Sequence, residues 1–437
     1  MKILFLSICI VVLTLSLPLQ AQKSAKLKDI YQDAEFFFER KDYKEAITFY
    51  LQLIDNGYVS ANIRFKIGEC YLNMPGEETR SIPYFEEASK HITTKYKPQE
   101  LEETKAPLHV LFYLGNAYRI NNELAKALDS YDKFTSHSYF FGHYNLAIVE
   151  NEIKACERAK IIQDSPVVVN WANLDSPVNT STSETCPVIS GDDSTLIYLS
   201  SQKFYNAIFY CRKIGDKWTD PININPQILS DGEFYPTGLS FDGKELFLVK
   251  KSDTNSDIFV SNFTGGIWSR AKKLGDNINS SSQETHASIS PDGKTLYFTS
   301  NRSNSRGGFD IYQSSRKADG QWNKAQNLGK TINTVLDEAT PFIASDNKTL
   351  YFSSKGHYNM GGYDVFYATI DTEKKWSEPA NIGYPVNTTN DNMFYSPVGI
   401  GTIGYIPYFK KDGLGKEDLY KIEIKSKFTP KEILSNK

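Results

Sequence analysis

Five positions recur at the head of successive units in the second half of the 437-residue chain: Glu184, Glu233, Glu284, Glu338 and, in the last unit, Asn392. If each precedes the innermost strand of its unit, four carboxylates stand in a ring at one mouth of a central channel, where they could hold a cation or a basic side chain. The competing role is structural, since residues repeated in a repeat protein often serve the repeat, here by capping turns or by pairing with loop residues such as Arg302. Asp257, Asp310, Asp364 and Asp418 form a second recurring set and read as structural. Signatures of catalysis are missing. Gly399, Gly401 and Gly404 satisfy a GxGxxG spacing, but Tyr-Ile-Pro-Tyr-Phe follows, so no helix N-terminus is offered to a pyrophosphate. Ser200 and Lys203 match SxxK at a strand end, with no helix to bring the two side chains to one face. The six histidines are scattered, without metal-ligand spacing, and there is no GxSxG, HExxH or P-loop. No catalytic residue, no metal and no cofactor is therefore expected.

Composition agrees. Forty-nine basic residues oppose 52 acidic ones, which excludes the basic footprint of a nucleic-acid binder, and no nucleotide motif survives inspection. The length exceeds the ~150-residue prior for one domain, so more than one folding unit is expected. Met1 and Lys2 precede an apolar run from Ile3 to Leu19 and then Gln-Ala-Gln, the pattern of a secretory signal peptide cut near Ala21, with an uncleaved anchor as the competing role. Cys70 and Cys156 sit in helical patterns, Cys186 and Cys211 in strand patterns, which predicts buried thiols rather than a disulfide framework.

Residues 22–165 carry helical periodicity and internal repetition. The second helices of three pairs begin Ala46-Ile-Thr-Phe-Tyr50, Ser81-Ile-Pro-Tyr-Phe85 and Ala127-Leu-Asp-Ser-Tyr131, and two of the first helices contain Ile67-Gly-Glu-Cys-Tyr71 and Leu114-Gly-Asn-Ala-Tyr118. Gly68 and Gly115 would let paired helices approach closely while the aromatics fill the space between pairs. Thr93 to Ala106 reads as an inserted, charged connection, and a helix from about His143 to Gln163 closes the array. The pattern resembles the tetratricopeptide repeat. That resemblance implies an α-solenoid whose first helices line a concave face for an extended peptide or helix, and it places Asn62, Phe65, Glu69, His109, Phe112, Asn116 and Arg119 there. Solvated polar positions around ordinary packing are the competing role.

After Pro166 the periodicity changes to short alternating segments broken by Asp-Gly, Asp-Asn and Gly-Gly. Residues 284–328 and 338–382 repeat one another almost in register, with looser copies from Glu184 and Glu233 and a degenerate one from Asn392. A period near fifty holding four strand-like runs predicts five propeller blades over 166–428, followed by a tail, 429–437. The last unit lacks a final strand, whereas residues 167–174 supply one in advance, so this segment is expected to complete the fifth blade and close the ring. Trp171 is expected to stand there as Trp218, Trp268, Trp322 and Trp376 stand in the other blades, and its truncation to match that of Trp322.

Ser-Pro-Asp-Gly-Lys-Thr-Leu-Tyr-Phe at 290–298 and Gly-Gly-Phe-Asp-Ile-Tyr at 307–312 resemble the PD40 (WD40-like, TolB-type) β-propeller family. Signal peptide, helical array and propeller in that order resemble the N-terminal half of PorE-type envelope proteins of the Bacteroidota. The resemblance implies an exported, non-catalytic scaffold in the periplasm or at the periplasmic face of the outer membrane. Its partner would be an envelope protein or peptide segment held by the array, in an outer-membrane or type IX secretion assembly. Those relatives continue into an OmpA-like domain, and because this sequence stops at Lys437, anchoring to peptidoglycan is not carried over. The alternative from another class is a propeller that binds or cleaves a glycan or peptide at its channel mouth.

Overall fold

The computed structural model describes residues 24–251 and 255–426. The segment read as a signal peptide and the tail 429–437 lie outside the described residues. Among the described residues no helix is long and apolar enough to cross a membrane. The chain separates into two compact units, Met1–Ile153 and Lys154–Lys437, a boundary that falls within the last long helix rather than after it.

Three helical hairpins make up the first unit: α1 (24–39) with α2 (Tyr43–Asp55), α3 (Ala61–Leu72) with α4 (Ser81–Ala88), and α5 (Val110–Ile120) with α6 (Leu124–Thr135). The helix α7 (Leu146–Gln163) follows. Glycine is required at the two positions singled out by the repeat. A Cβ on Gly68 would lie 2.6 Å from the Phe85 ring, and one on Gly115 would lie 2.4 Å from the Tyr131 ring, so each aromatic packs flat on its partner helix only because nothing projects there. The Ser60 hydroxyl caps α3 by accepting from the Ile63 amide at 3.2 Å. Pro83 is tolerated because it lies in the first turn of α4, where its missing N–H would be unpaired in any case.

The second unit is a five-bladed β-propeller. Its blades are built on the antiparallel runs Glu184–Ile189, Thr195–Ser201 and Asn206–Ile214; Phe234–Leu239, Glu245–Lys251 and Ser256–Thr264; Glu284–Ile289, Thr295–Ser300 and Asp310–Ser315; Glu338–Ile343, Thr349–Ser354 and Asp364–Thr369; and Ser396–Val398, Ile403–Tyr408 and Asp418–Ile424. The fifth blade takes its outer strand from Val169–Asn173, which pairs antiparallel with Asp418–Ile424 and joins the two ends of the unit. Two charged ties reinforce the ring. Asp193 accepts from Lys213, Lys421 and the Tyr405 hydroxyl, linking the first blade to the fifth, and Arg316 forms a bidentate pair with Glu245 of a neighbouring blade at 3.0 and 3.1 Å.

One repeated side chain completes every blade. Asn225, Asn279, Asn333, Asn387 and Asn179 are buried, and each accepts from the backbone N–H of a third-strand residue: Ile208, Ile258, Ile311, Val365 and Leu419 in turn. In four of the five the amide also donates to the same residue's carbonyl, so the asparagine replaces a missing strand at that point. Its side chain is the right length for both bonds.

This register corrects the expectation for Trp171. Tyr420 stands opposite Asn173 as Tyr312 stands opposite Asn327 and Phe366 opposite Asn381. Trp322 and Trp376 precede their asparagines by five residues, Trp171 by two, so the equivalent position is Val168. Trp322 is buried beneath the Arg316 guanidinium, while Trp171 stays half-exposed against Tyr408 and Tyr420. Trp322→Ala should therefore cost ~3–5 kcal/mol and Trp171→Ala roughly half as much, read from the urea midpoint of the propeller transition; equal shifts would contradict the register.

Candidate functional site

The array positions predicted to face a partner are packed together, but many are already engaged. Asn62 is buried and its Oδ1 accepts the Tyr96 hydroxyl at 2.7 Å. Phe65 is buried in an aromatic cluster, stacked on Tyr113 with centroids 5.8 Å apart and meeting His109 edge-on at 5.5 Å. Burial pushes the His109 imidazole down to about 4, leaving it neutral. Arg119 is buried with its Nε 2.9 Å from a Glu152 carboxylate oxygen. Asn116 accepts the Tyr131 hydroxyl at 2.7 Å, and Phe112 packs on Tyr131 and Phe134. Glu69 is half-buried, and loss of solvation raises its carboxyl above the ordinary range, with Lys66 opposing. An open groove lined by all seven is thus corrected: Asn62, Phe65 and Arg119 serve the interior, and Glu69, His109, Phe112 and Asn116 keep partial exposure.

The inserted connection explains part of this covering. Ile92–Thr93 pairs in parallel with Ala106–Pro107, and the stretch between them folds back so that the Tyr96 ring meets Phe65 at 6.2 Å and His109 at 6.4 Å. A segment that reads as a solvated linker is instead a strap on the array, turned at 98–99 and 101–102.

In the propeller the expected ring of free carboxylates is likewise corrected. Glu184, Glu284 and Glu338 are fully buried. Each accepts a backbone amide and a hydroxyl from the residue four positions earlier: Thr180 at 3.1 and 2.8 Å, Ser280 at 2.8 and 2.6 Å, and Thr334 at 2.9 and 2.8 Å. Ser200, Ser300 and Ser354 donate to the same carboxylates from the second strand, and Arg302 reaches Glu284 at 3.0 Å. Asn392 holds Thr388 in the same way with one amide oxygen. Glu233 departs because eight positions separate it from Asn225, against five between Asn279 and Glu284, and the short helix Asn225–Ile228 fills the difference. It is exposed and pairs with Lys250.

The groups that do converge on the axis stand two residues further on. Cys186, His286, Thr340 and Phe394 have positive φ of 51°, 46°, 46° and 61°, and the strand register shifts at three of these points. These bulges re-aim the chain. His286 lies between Tyr235 and Phe394, with centroids 6.0 and 5.4 Å away, and burial pushes its imidazole down to about 4 and the Cys186 thiol up to about 12. The sequence signal was available as the fixed offset from each glutamate. At the tight-turn end the channel mouth is lined by Ile189, Leu239, Ile289 and Phe342 and encloses about 50 Å³, far below the ~300 Å³ or more of an ordinary ligand pocket. A larger cleft of about 420 Å³ opens between the fourth and fifth blades beside Tyr351, Tyr367 and Ile424. Among the described residues no group of three or more His, Cys, Asp or Glu side chains is placed to hold a metal ion. Cys70, Cys156, Cys186 and Cys211 are buried thiols.

No protein-family model matches the sequence, and no curated protein does. Similar solved structures include TolB from Acinetobacter baumannii, 16% identical over 56% of this chain and 55% of that one, with a TM-score of 0.34. A putative TolB from Agrobacterium tumefaciens is 17% identical over 57% and 78%, with a TM-score of 0.35. The catalytic domain of a Coprinopsis cinerea α-L-arabinofuranosidase is 9% identical over 60% and 98%, with a TM-score of 0.39. The chain spans about half the length of the Acinetobacter structure. At such scores these similarities carry neither activity nor partner, and the five-bladed propeller rests on its own strand pairing.

Burial disfavours ionisation of Glu338 and pushes its carboxyl up to about 7, against the opposing hydrogen bonds from Thr334 and Ser354. The folded state then keeps a proton that the unfolded chain releases above about 4.5, so this contribution to stability is full below that pH and is lost as the pH rises to about 7. Glu338→Gln cannot ionise and should remove that slope. The stability of the variant relative to wild type, from urea unfolding, should rise by on the order of 1–3 kcal/mol between pH 4.5 and 7.5, and a flat difference would contradict a protonated Glu338.

Proposed function

We propose that this protein is an exported, non-catalytic scaffold: a tetratricopeptide-like array that grips a segment of an envelope protein, joined to a PD40-type propeller platform. It would act in the periplasm or at the periplasmic face of the outer membrane, and its setting would be an outer-membrane assembly such as the type IX secretion apparatus. The observation that carries the reading is the strap. A stretch of the chain's own polypeptide lies on the array and is held at two of the positions, Asn62 and Phe65, assigned to partner binding. The propeller argues in the same direction, because the polar residues it repeats are spent on its own loops and strands.

A photo-crosslinking amino acid tests this in intact cells of the native host. Placed at Phe112, on the partly exposed part of the array face, it should capture one envelope protein; placed at Ile267, which is 61% exposed on the propeller, it should not. Capture from position 267 alone, or from neither, would contradict an array-centred scaffold.

A further inference from the structure

The way the strap is held resembles recognition of a ligand more than packing of a loop. Tyr31 donates its hydroxyl to the Pro98 carbonyl at 3.1 Å, and Tyr58 donates to the Leu101 carbonyl. The first-turn amides of Ala61 and Asn62 in α3 donate to the Thr104 carbonyl at 2.9 and 3.3 Å. The accepting carbonyls belong to residues 98, 101 and 104. The segment is turned at 98–99 and 101–102, where Glu100 N–H donates to the Lys97 carbonyl at 3.4 Å and Glu103 N–H to the Glu100 carbonyl at 3.1 Å, and this three-residue repeat leaves the carbonyls of 98, 101 and 104 free to meet the array.

Side chains anchor it at three points, one of them the exposed Gln99 amide, which donates to the Glu39 carboxylate of α1 at 2.9 Å. Tyr96 is seated between Phe65 and His109 and donates to Asn62, and Leu101 packs against the apolar cluster formed by α1, α2 and α3. Lys95, Lys97, Pro98, Gln99, Glu100, Glu102, Thr104 and Lys105 are exposed. A segment held by carbonyls and three side chains can be exchanged for any chain that offers the same pattern, and its advantage over such a chain is its covalent attachment. Opening it would cost few buried apolar contacts, which places it among the locally labile parts of the unit.

We propose that residues 94–105 are an internal stand-in for the partner, and that the array binds a protein segment able to adopt the same two turns and carrying a tyrosine and, five residues later, a leucine, which displaces the strap. Bound in this way, the segment would lie on Asn62, Phe65 and His109 and bring its carbonyls to Tyr31, Tyr58 and the start of α3. This rests on the peptide-binding role given to the array above, but it is tested with purified protein and no envelope partner, so the two can fail separately.

The probe is a fluorescein-labelled peptide copying residues 94–105, titrated against the full chain and against the full chain carrying Tyr96→Ala and Leu101→Ala. The variant, with its own strap loosened, should bind the peptide at least tenfold more tightly than wild type, and a peptide whose tyrosine and leucine are replaced by alanine should not bind. Equal affinity for the two proteins, with the variant's circular dichroism unchanged, would overturn the proposal. If the double variant does not fold, a protease site placed between the exposed Gln99 and Glu100 replaces it. Cutting the strap in the folded protein should then admit the labelled peptide; exclusion of the peptide after cutting, or loss of the fold, would show that the strap is a structural part of the array.

Discussion

A blade whose outer edge is short must still pair the backbone groups of its third strand, and in this propeller a buried asparagine does so five times. Asn333 illustrates the constraint: its Oδ1 accepts from Ile311 N–H at 2.8 Å while its Nδ2 donates to the Ile311 carbonyl at 2.9 Å and to Asn327. Leaving a buried amide and carbonyl unpaired costs ~1–3 kcal/mol for each group, so the chain cannot relax this position without destabilising the blade. Once the asparagine is fixed, the next residue is fixed too. Thr334, Ser280 and Thr180 present an amide and a hydroxyl to the glutamate that begins the following innermost strand, and the glutamate in turn receives a serine of the second strand. The loop between blades is thereby tied at both ends.

That economy bears on function. A carboxylate that accepts three hydrogen bonds from its own blade has little capacity left for a ligand, and a fully buried one would need the loop to open first. The repeated acidic residues are thus part of how the blades connect. The helical unit is different in kind, because its interior closes around pairs of glycine and aromatic residues while a turned strap, held by backbone carbonyls and a few side chains, lies on Asn62, Phe65 and His109.

Much of this architecture was legible in the sequence, and for physical reasons. A period of 54 between Trp268, Trp322 and Trp376 demands equal structural units, and an unpaired final strand demands a partner from the other end of the ring. Gly68 and Gly115 announced the close approach of Phe85 and Tyr131 because no other residue leaves that space. The errors came where spacing alone does not set direction. The glutamates head their strands as expected, but the bulges at Cys186, His286 and Thr340 turn the following residues, not the carboxylates, toward the axis. Trp171 matched its counterparts in type, yet register follows the asparagine, which places it three residues out of phase. The strap was invisible because its charged residues are in fact exposed, and its contacts come from backbone carbonyls and from Tyr96, Gln99 and Leu101.

The repeated polar side chains are ties that hold a closed ring, and amide hydrogen exchange of the full chain measures whether they do. The amides of Ile208, Ile258, Ile311, Val365 and Leu419, each bonded to an asparagine oxygen, should exchange only through global opening of the propeller, with one common protection free energy across all five blades. Exchange of these amides as fast as those of the exposed tight turns, or a fifth blade that opens separately through Leu419, would contradict it.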